Sequence, residues 1–348
     1  MLNNQRLNSI ATKLHEKELN GMITANIKNI QYITNYKPTS IAFLILKEEP
    51  IIFTTKMDME IATKQIKTND LDIDIREYET IAKMVDEIKK EEIKNLAFEE
   101  DLTYKIYEKL ENSFKLSKSN LINEERMVKT KNEIKAIKMA SKIAHKSFLE
   151  LDIISKQAQE MREWEASYEL GYLIRKNGGE EESFETICIS GSKTSQPHGK
   201  TGKEKLSKPI LVDWGCRYND YCSDTTRTIV YSEKEAEIQA IVLEAYQKAI
   251  KSIKVGMEIK KVDKVARDII YEYGYRDNFI HTTGHGIGLD VHEKPNVSKR
   301  EKIKLEKDMV ITIEPGIYLE NEFGVRIEDT IHVKNNAKVL GNLKPILN

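Results

Sequence analysis

Asp213, Asp224, His285, Glu314 and Glu328 are the side chains of this chain whose types and settings suit one metal site. They stand in VDWG (212–215), YCSDTTRT (221–228), HTTGHGIG (281–288), ITIEPGIY (311–318) and GVRIEDT (324–330). Four carboxylates and one imidazole form a hard, oxygen-rich set, which favours divalent Mn, Co or Zn over a metal that needs thiolates. Four negative charges balance two such ions. A lone Asp carries no message in a chain that is 32% charged. Five liganding types, each inside an apolar or glycine-rich strand-like run, do not read as solvated surface.

The elements around these residues support the grouping. ILVDWGCRY and YCSDTTRTIV read as two strands, rich in β-branched and aromatic residues. Tyr218, Asn219 and Asp220 between them supply turn chemistry, because Asn and Asp tolerate the left-handed conformation. A hairpin centred near Tyr218 and Asn219 sets Asp213 opposite Asp224, with Cβ atoms roughly 5 Å apart. Two bare carboxylates there repel, and a cation between them removes the conflict. The alternation of strand faces sorts the last two segments. Val310, Thr312 and Glu314 share one face, and Arg326, Glu328 and Thr330 share another. Glu328 is therefore a better ligand than its neighbour Asp329, and Arg326 points into the same cavity.

The glycine-rich run at His285 resembles other motifs only superficially. GHGIG lacks the GxGxxG spacing of a dinucleotide loop, and the chain has no GxxxxGK[ST]. His281 and His285 are four apart, as on a zincin helix, but HTTGH lacks the Glu after the first His. The glycines are expected to let backbone approach a crowded site closely.

FIHTTGHGIGLDVHE, VITIEPGIY, GVRIEDT, VDWG with YCSDTTRT, and the SQPHG loop together resemble the pita-bread metallopeptidase family. Within it they look most like the Xaa-Pro dipeptidases (prolidases) and the aminopeptidase P enzymes. The resemblance is strong over residues 126–348. Residues 1–125 are similar in layout to that family's amino-terminal creatinase/prolidase domain, without a specific motif. The resemblance implies a dinuclear centre on the same five ligands. It also implies substrate-handling histidines at His198 and His292, a homodimer, and an amino-terminal domain that covers the catalytic mouth. Asp220 departs from the family, which often has Gly or a neutral residue in that turn.

The expected reaction is hydrolysis of the bond before proline, by a water whose pKa a metal pair lowers from about 15.7 towards ~7. Glu314 is the candidate proton shuttle. His198 and His292 would donate hydrogen bonds to the tetrahedral intermediate. His281 would line the pocket, and Arg326 would hold the free carboxylate of a dipeptide. The compact length favours dipeptides over longer peptides. A metal-free creatinase-like hydrolase and a binding protein that has lost its ligands are both disfavoured by the complete acidic set.

Composition agrees. With 55 basic and 56 acidic residues the net charge is −1, which gives no general attraction to nucleic acid or to anionic membrane. Mean hydropathy is −0.52, and no apolar run nears the ~18 residues of a membrane span. Cys188, Cys216 and Cys222 are odd in number and form no CxxC pair, so a reducing cytoplasm is expected. Cys222 reads as a small packing residue.

The first part alternates elements and reads as an α/β layer domain. GMITANIKNIQYI, SIAFLILK, PIIFTT, LDIDIREY and NLAFEE read as strands, with helices at the amino terminus and at IATKQIK, TIAKMVDEIKKEEI and LTYKIYEKLENS. A polar stretch at 117–125 marks the boundary. Beyond it, Ile134, Ile137, Ser141, Ala144 and Phe148 give a helical stripe. A second helix is expected from about Ser155 to Lys176, a third from the capping box Ser232-x-x-Glu235, and a fourth over Val262–Tyr273. These helices should back a curved, mostly antiparallel sheet that carries the acids. The helix–helix–strand order appears twice, before and after residue 230.

Overall fold

The computed structural model describes residues 2–153 and 160–344. The chain divides into two compact units, Met1–Arg126 and Met127–Asn348.

The first unit is an α/β layer. Its six-stranded sheet runs in the order Asp74–Glu77, Ile51–Thr54, Phe43–Leu46, Gly21–Thr24, Asn95–Phe98, Lys115–Lys118. The three central strands pair antiparallel, and the outer ones join in parallel. Parallel joins need crossovers, which the helices Met59–Thr68, Ile81–Lys89 and Tyr104–Glu111 provide.

One reading of this unit is corrected, and one strand is added to it. GMITANIKNIQYI is not one strand, because the strand ends at Thr24 and a helix spans Ile27–Thr34. Asn26 starts that helix by accepting from the backbone N–H of Lys28 and Asn29, and Asn35 ends it at φ 56°. The cap decides the conformation against the β preference of the isoleucines. The edge strand Lys115–Lys118 was not expected either. Its KLSK sequence has one apolar residue, and its lysines suit an edge that must not pair further.

The second unit places helices against an antiparallel sheet. The strand order is Glu293–Val297, Gly284–Gly286, Val310–Ile313, Glu328–His332, Thr225–Ile229, Ile210–Trp214, Ile187–Ser190, and Lys338–Val339 also pairs with Glu328–His332. Each half of the sheet has its own helix pair. Lys131–Leu151 and Glu163–Lys176 bury Ala144, Phe148, Leu170 and Ile174 against Val212 and Trp214. Glu233–Ser252 and Lys260–Glu272 bury Ile238, Val242, Ala266 and Ile270 against Ile311, Ile313 and Ile331. The double helix–helix–strand order thus corresponds to two matching layers. Residues 155–159 of the second expected helix lie outside the described residues, and the described helix begins at Glu163.

Local chemistry fixes these helices. Ser232 and Glu235 form the expected capping box, and Thr130 with Glu133 forms another. Trp214 stacks on Phe148 with centroids 4.2 Å apart, and its indole N–H donates to the Ala144 carbonyl at 3.0 Å. A buried ring pair of this kind adds roughly 0.5–1.5 kcal/mol beyond its area. Among the described residues, no helix is long and apolar enough to cross a membrane.

Candidate metal centre

The hairpin that carries the two aspartates turns later than expected. Asn219 and Asp220 are both left-handed, at φ 46° and 69°, and they form the turn. Asp213 therefore lies opposite Thr226, where Asp224 had been expected. The slip is two residues. Because side-chain faces alternate with a period of two, both aspartates keep the same face and become diagonal neighbours.

All five expected ligands line one cavity of about 330 Å³, together with His198, His281, His292 and Arg326. One ligand atom each from Asp224, His285 and Glu328 lies within 4.8 Å of the others. Glu314 joins them through Oε1, which is 3.5 Å from His285 Nε2. Asp213 is held by Arg326, whose Nη2 donates to Oδ2 at 2.7 Å.

The strand Gly284–Gly286 carries His285 between two neighbours that leave no room. A Cβ at Gly284 would stand 2.0 Å from the Thr312 carbonyl oxygen, and one at Gly286 would stand 2.2 Å from that of Lys294. The expected role of these glycines, close backbone approach, is what the structure has. The imidazole is also oriented. Nδ1 donates to the Gly286 carbonyl at 3.0 Å, since a carbonyl can only accept, and this leaves the Nε2 lone pair facing Asp224 and Glu314. Burial, then the neighbouring His292, pushes this imidazole down to about 4, so it is neutral at pH 7. A neutral imidazole with a free Nε2 is the form that binds a metal.

The carboxylates are buried without enough partners. Asp213 Oδ1, Asp224 Oδ1 and Glu328 Oε1 are each shielded from solvent and make no hydrogen bond. Burial pushes Glu314 up to about 8 against the pull of Arg326. Burial and mutual repulsion raise Asp224 and Glu328 well above the ordinary carboxylate range. Two like charges 4 Å apart repel by about 4 kcal/mol at an effective dielectric constant near 20. The group is stable only when protonated or when a cation supplies the missing contacts. Three bare oxygens on residues that line one cavity with a presented imidazole fit a divalent cation.

Several supporting residues were not singled out by the sequence. Thr226 Oγ1 donates to Glu328 Oε2 at 2.7 Å and accepts from Arg326 Nε at 3.0 Å. Thr312 Oγ1 accepts from the His285 N–H at 3.1 Å. Tyr318 links Arg326 to His281. Its hydroxyl accepts from Arg326 Nη1 at 2.9 Å and donates to His281 Nε2 at 2.8 Å, while His281 Nδ1 donates to the Thr282 carbonyl at 2.7 Å. Burial, then Arg326, takes His281 down to about 3, in keeping with this neutral form. The strand alternation that picked Glu314 could not reach Tyr318, which lies past Pro315 in a new strand, Gly316–Leu319. His198 and His292 are exposed, and the His292 ring lies 4.2 Å from that of His285. Cys222 is buried against Ile137 and Ile287, as a packing residue should be.

The model of metallopeptidase family M24 matches residues 135–335, which include every residue of the site. This chain is a member of metallopeptidase family M24. The creatinase/prolidase amino-terminal domain matches residues 6–128. A relative, the Xaa-Pro dipeptidase of Pyrococcus furiosus, is 34% identical over 343 residues, covering 96% of each chain. The crystal structure of the prolidase from Pyrococcus horikoshii superposes with a TM-score of 0.90 at 33% identity, over 98% of this chain and 99% of that one. The X-Pro aminopeptidase from Thermotoga maritima superposes at 0.83 with 30% identity, over 98% of this chain and 100% of that one. This M24 chain is thus a peptidase of a metal-dependent family, built as an α/β unit followed by helices on an antiparallel sheet.

Proposed function

We propose that this chain is a dinuclear metal-dependent dipeptidase that cleaves the Xaa-Pro bond. One observation carries the proposal: Asp224, His285 and Glu328 each bring a ligand atom within 4.8 Å of the others, in a cavity where Asp213 Oδ1, Asp224 Oδ1 and Glu328 Oε1 are buried without a hydrogen bond. Similarity to the Pyrococcus Xaa-Pro dipeptidase and prolidase supports the substrate class. Asp213, Asp224, His285, Glu314 and Glu328 would hold two divalent ions, with Mn the first choice and Co or Zn the alternatives. Bound there, the ions supply Lewis acidity and make water acidic enough to ionise near neutral pH.

The chain's own residues do the rest. Glu314, whose N–H is anchored on the Thr283 carbonyl at 2.8 Å, takes a proton from the attacking water and returns it to the leaving nitrogen. His198 and His292, open to the cavity, hold the substrate carbonyl and steady the tetrahedral intermediate. His281 is tied to Tyr318 and shapes the wall. Arg326 takes a different part from the carboxylate anchor that its position in the sequence suggested. Its guanidinium already gives hydrogen bonds to Asp213, Thr226, Tyr318 and the Pro197 carbonyl, so it holds Asp213 in place. A prolyl amide has no N–H, and the site needs no acceptor for one.

The catalytic domain is assigned to residues 126–348 and the creatinase/prolidase-like domain to residues 1–125. The protein is proposed to act in the cytoplasm as a homodimer. The second reading is an aminopeptidase P-type enzyme, because the Thermotoga X-Pro aminopeptidase shares the fold. The deciding assay gives Mn-loaded protein Xaa-Pro dipeptides and matched longer Xaa-Pro peptides, scored for free proline and released residue. Higher kcat/KM on dipeptides is expected. Higher kcat/KM on the longer peptides would assign the aminopeptidase activity instead, and no cleavage of either would sink the proposal.

A further inference from the structure

The segment leading into the helix Lys131–Leu151 contains a buried lysine that the site described above does not use. The Lys129 side chain is 2% exposed, and its Nζ lies 2.7 Å from Glu293 Oε1, on a side chain that is 9% exposed. Burying an ion pair costs several kcal/mol per ion in lost hydration, so such a pair argues weakly for stability. Its best-attested use is to select one arrangement of the groups around it.

The arrangement concerns His292, the residue before Glu293. The Glu293 carboxylate sits over Gly288, where an added Cβ would stand 2.4 Å from Oε1. Glu293 also pairs with Gly286 across the two strands. It is thus clamped between Lys129 and a bare stretch of backbone, at the start of the strand Glu293–Val297 and directly after His292. The lysine end is itself anchored. Lys129 N–H donates to the Asp308 carbonyl at 3.0 Å, and Val128 bridges Met309. Glu133, in the capping box that follows, accepts from the Tyr221 hydroxyl at 2.6 Å. This short segment therefore braces three carriers of the site: the strand leading to Glu314, the turn before Asp224, and the loop of His292.

We infer that Lys129 is a positioning residue that acts through Glu293 to hold His292 against His285. The inference rests on the reading of His292 as a substrate-facing group. Lys129→Met removes the ammonium and keeps most of the stem volume. On the metal-loaded full chain, kcat/KM is expected to fall roughly 10- to 100-fold, the range for a partner that orients a site group. Bound metal should be unchanged, and Lys129→Arg should recover part of the loss. Should the single variant fail to fold, Lys129→Met with Glu293→Gln replaces the pair by neutral groups and should show the same loss.

The decisive control is a cycle with His292→Ala. If Lys129 acts through His292, Lys129→Met costs little further activity once His292 is gone. Three results overturn the brace: a lower thermal midpoint with parental kcat and KM, loss of metal along with activity, or a fully additive cycle. His292→Ala with parental activity sinks the reading of His292 itself. An impaired His292→Ala beside a parental Lys129→Met sinks only the brace.

Discussion

Glu328 and Asp329 are adjacent, equally buried acids on one strand, with 2% and 1% exposure, yet they live in opposite chemical worlds. Behind the sheet, both oxygens of Asp329 accept from Arg227 Nη2, at 2.9 and 3.0 Å, and one also accepts from the Tyr246 hydroxyl at 2.7 Å. Arg227, fully buried, spends its other donors on the carbonyls of Thr226, Glu328, Leu343 and Lys344. On the concave side, Glu328 has one oxygen on Thr226 and the other bare. Burial is therefore no mark of function. What separates the two faces is whether the polar atoms are satisfied, because a buried carboxylate oxygen without a partner calls for an explanation, and beside other acids and an imidazole a cation supplies one.

The sharpest way to break this comparison is to neutralise each face in turn. Asp224→Asn or Glu328→Gln should reduce peptidase activity to background and lose metal by elemental analysis. The metal-free fold should survive, with an unchanged or higher thermal midpoint, since a repelling charge is gone. Asp329→Ala should do the reverse. It strands the Arg227 charge and is expected to cost about 3–5 kcal/mol of folding stability, read from urea unfolding, while the folded fraction keeps its metal. If both faces respond alike, the distinction is wrong.

Arg326 stands between the two cases, a satisfied cation on the open side. Arg326→Ala should lower kcat/KM roughly 10- to 100-fold through a misplaced Asp213, equally for dipeptides and longer Xaa-Pro peptides. A loss confined to dipeptides would restore the carboxylate anchor. The smallest effect is protonic. Glu314, raised to about 8, carries its proton at pH 7 in the metal-free chain, and a metal ligand must be ionised. Metal binding at pH 7 should therefore release protons, fewer above pH 8, in calorimetry across buffers of different ionisation enthalpy. The sign for folding follows from linkage. Below about 6.5 the buried histidines, lowered to about 4 and 3, work against Glu314, so the clear window lies between about 6.5 and 8, where the folded Glu314 still holds its proton and the stability of the metal-free fold falls as pH rises. A flat unfolding midpoint over that window would count against the unpaired cluster.

Strand alternation alone separated Glu328 from Asp329, and residue chemistry alone selected the acids and imidazole that share the cavity. These signals survive because faces repeat every two residues, whatever the fold does elsewhere. Register is another matter. Nothing local told whether the turn lay at Tyr218 and Asn219 or one step on, since Asp220 takes a left-handed shape as readily as Asn219 does. In the first unit, a single cap at Asn26 outweighed a run of β-prone residues. Lys129 and Glu293 meet across 164 positions, and one lysine among many gives no sign of burial. The unread parts are those set by distant contacts.

The glycines beside His285 have a consequence for descent. Replacing the histidine removes a ligand and leaves the backbone free to pack, so such a chain can persist and drift to other work. A methyl group at position 284 or 286 instead meets a neighbouring strand's carbonyl oxygen at about 2 Å, and the sheet cannot close around it. Lineages of this architecture that abandon catalysis should thus shed the histidine early and keep the paired glycines late. In a distant chain the glycines would testify to common architecture, and the histidine between them to surviving chemistry.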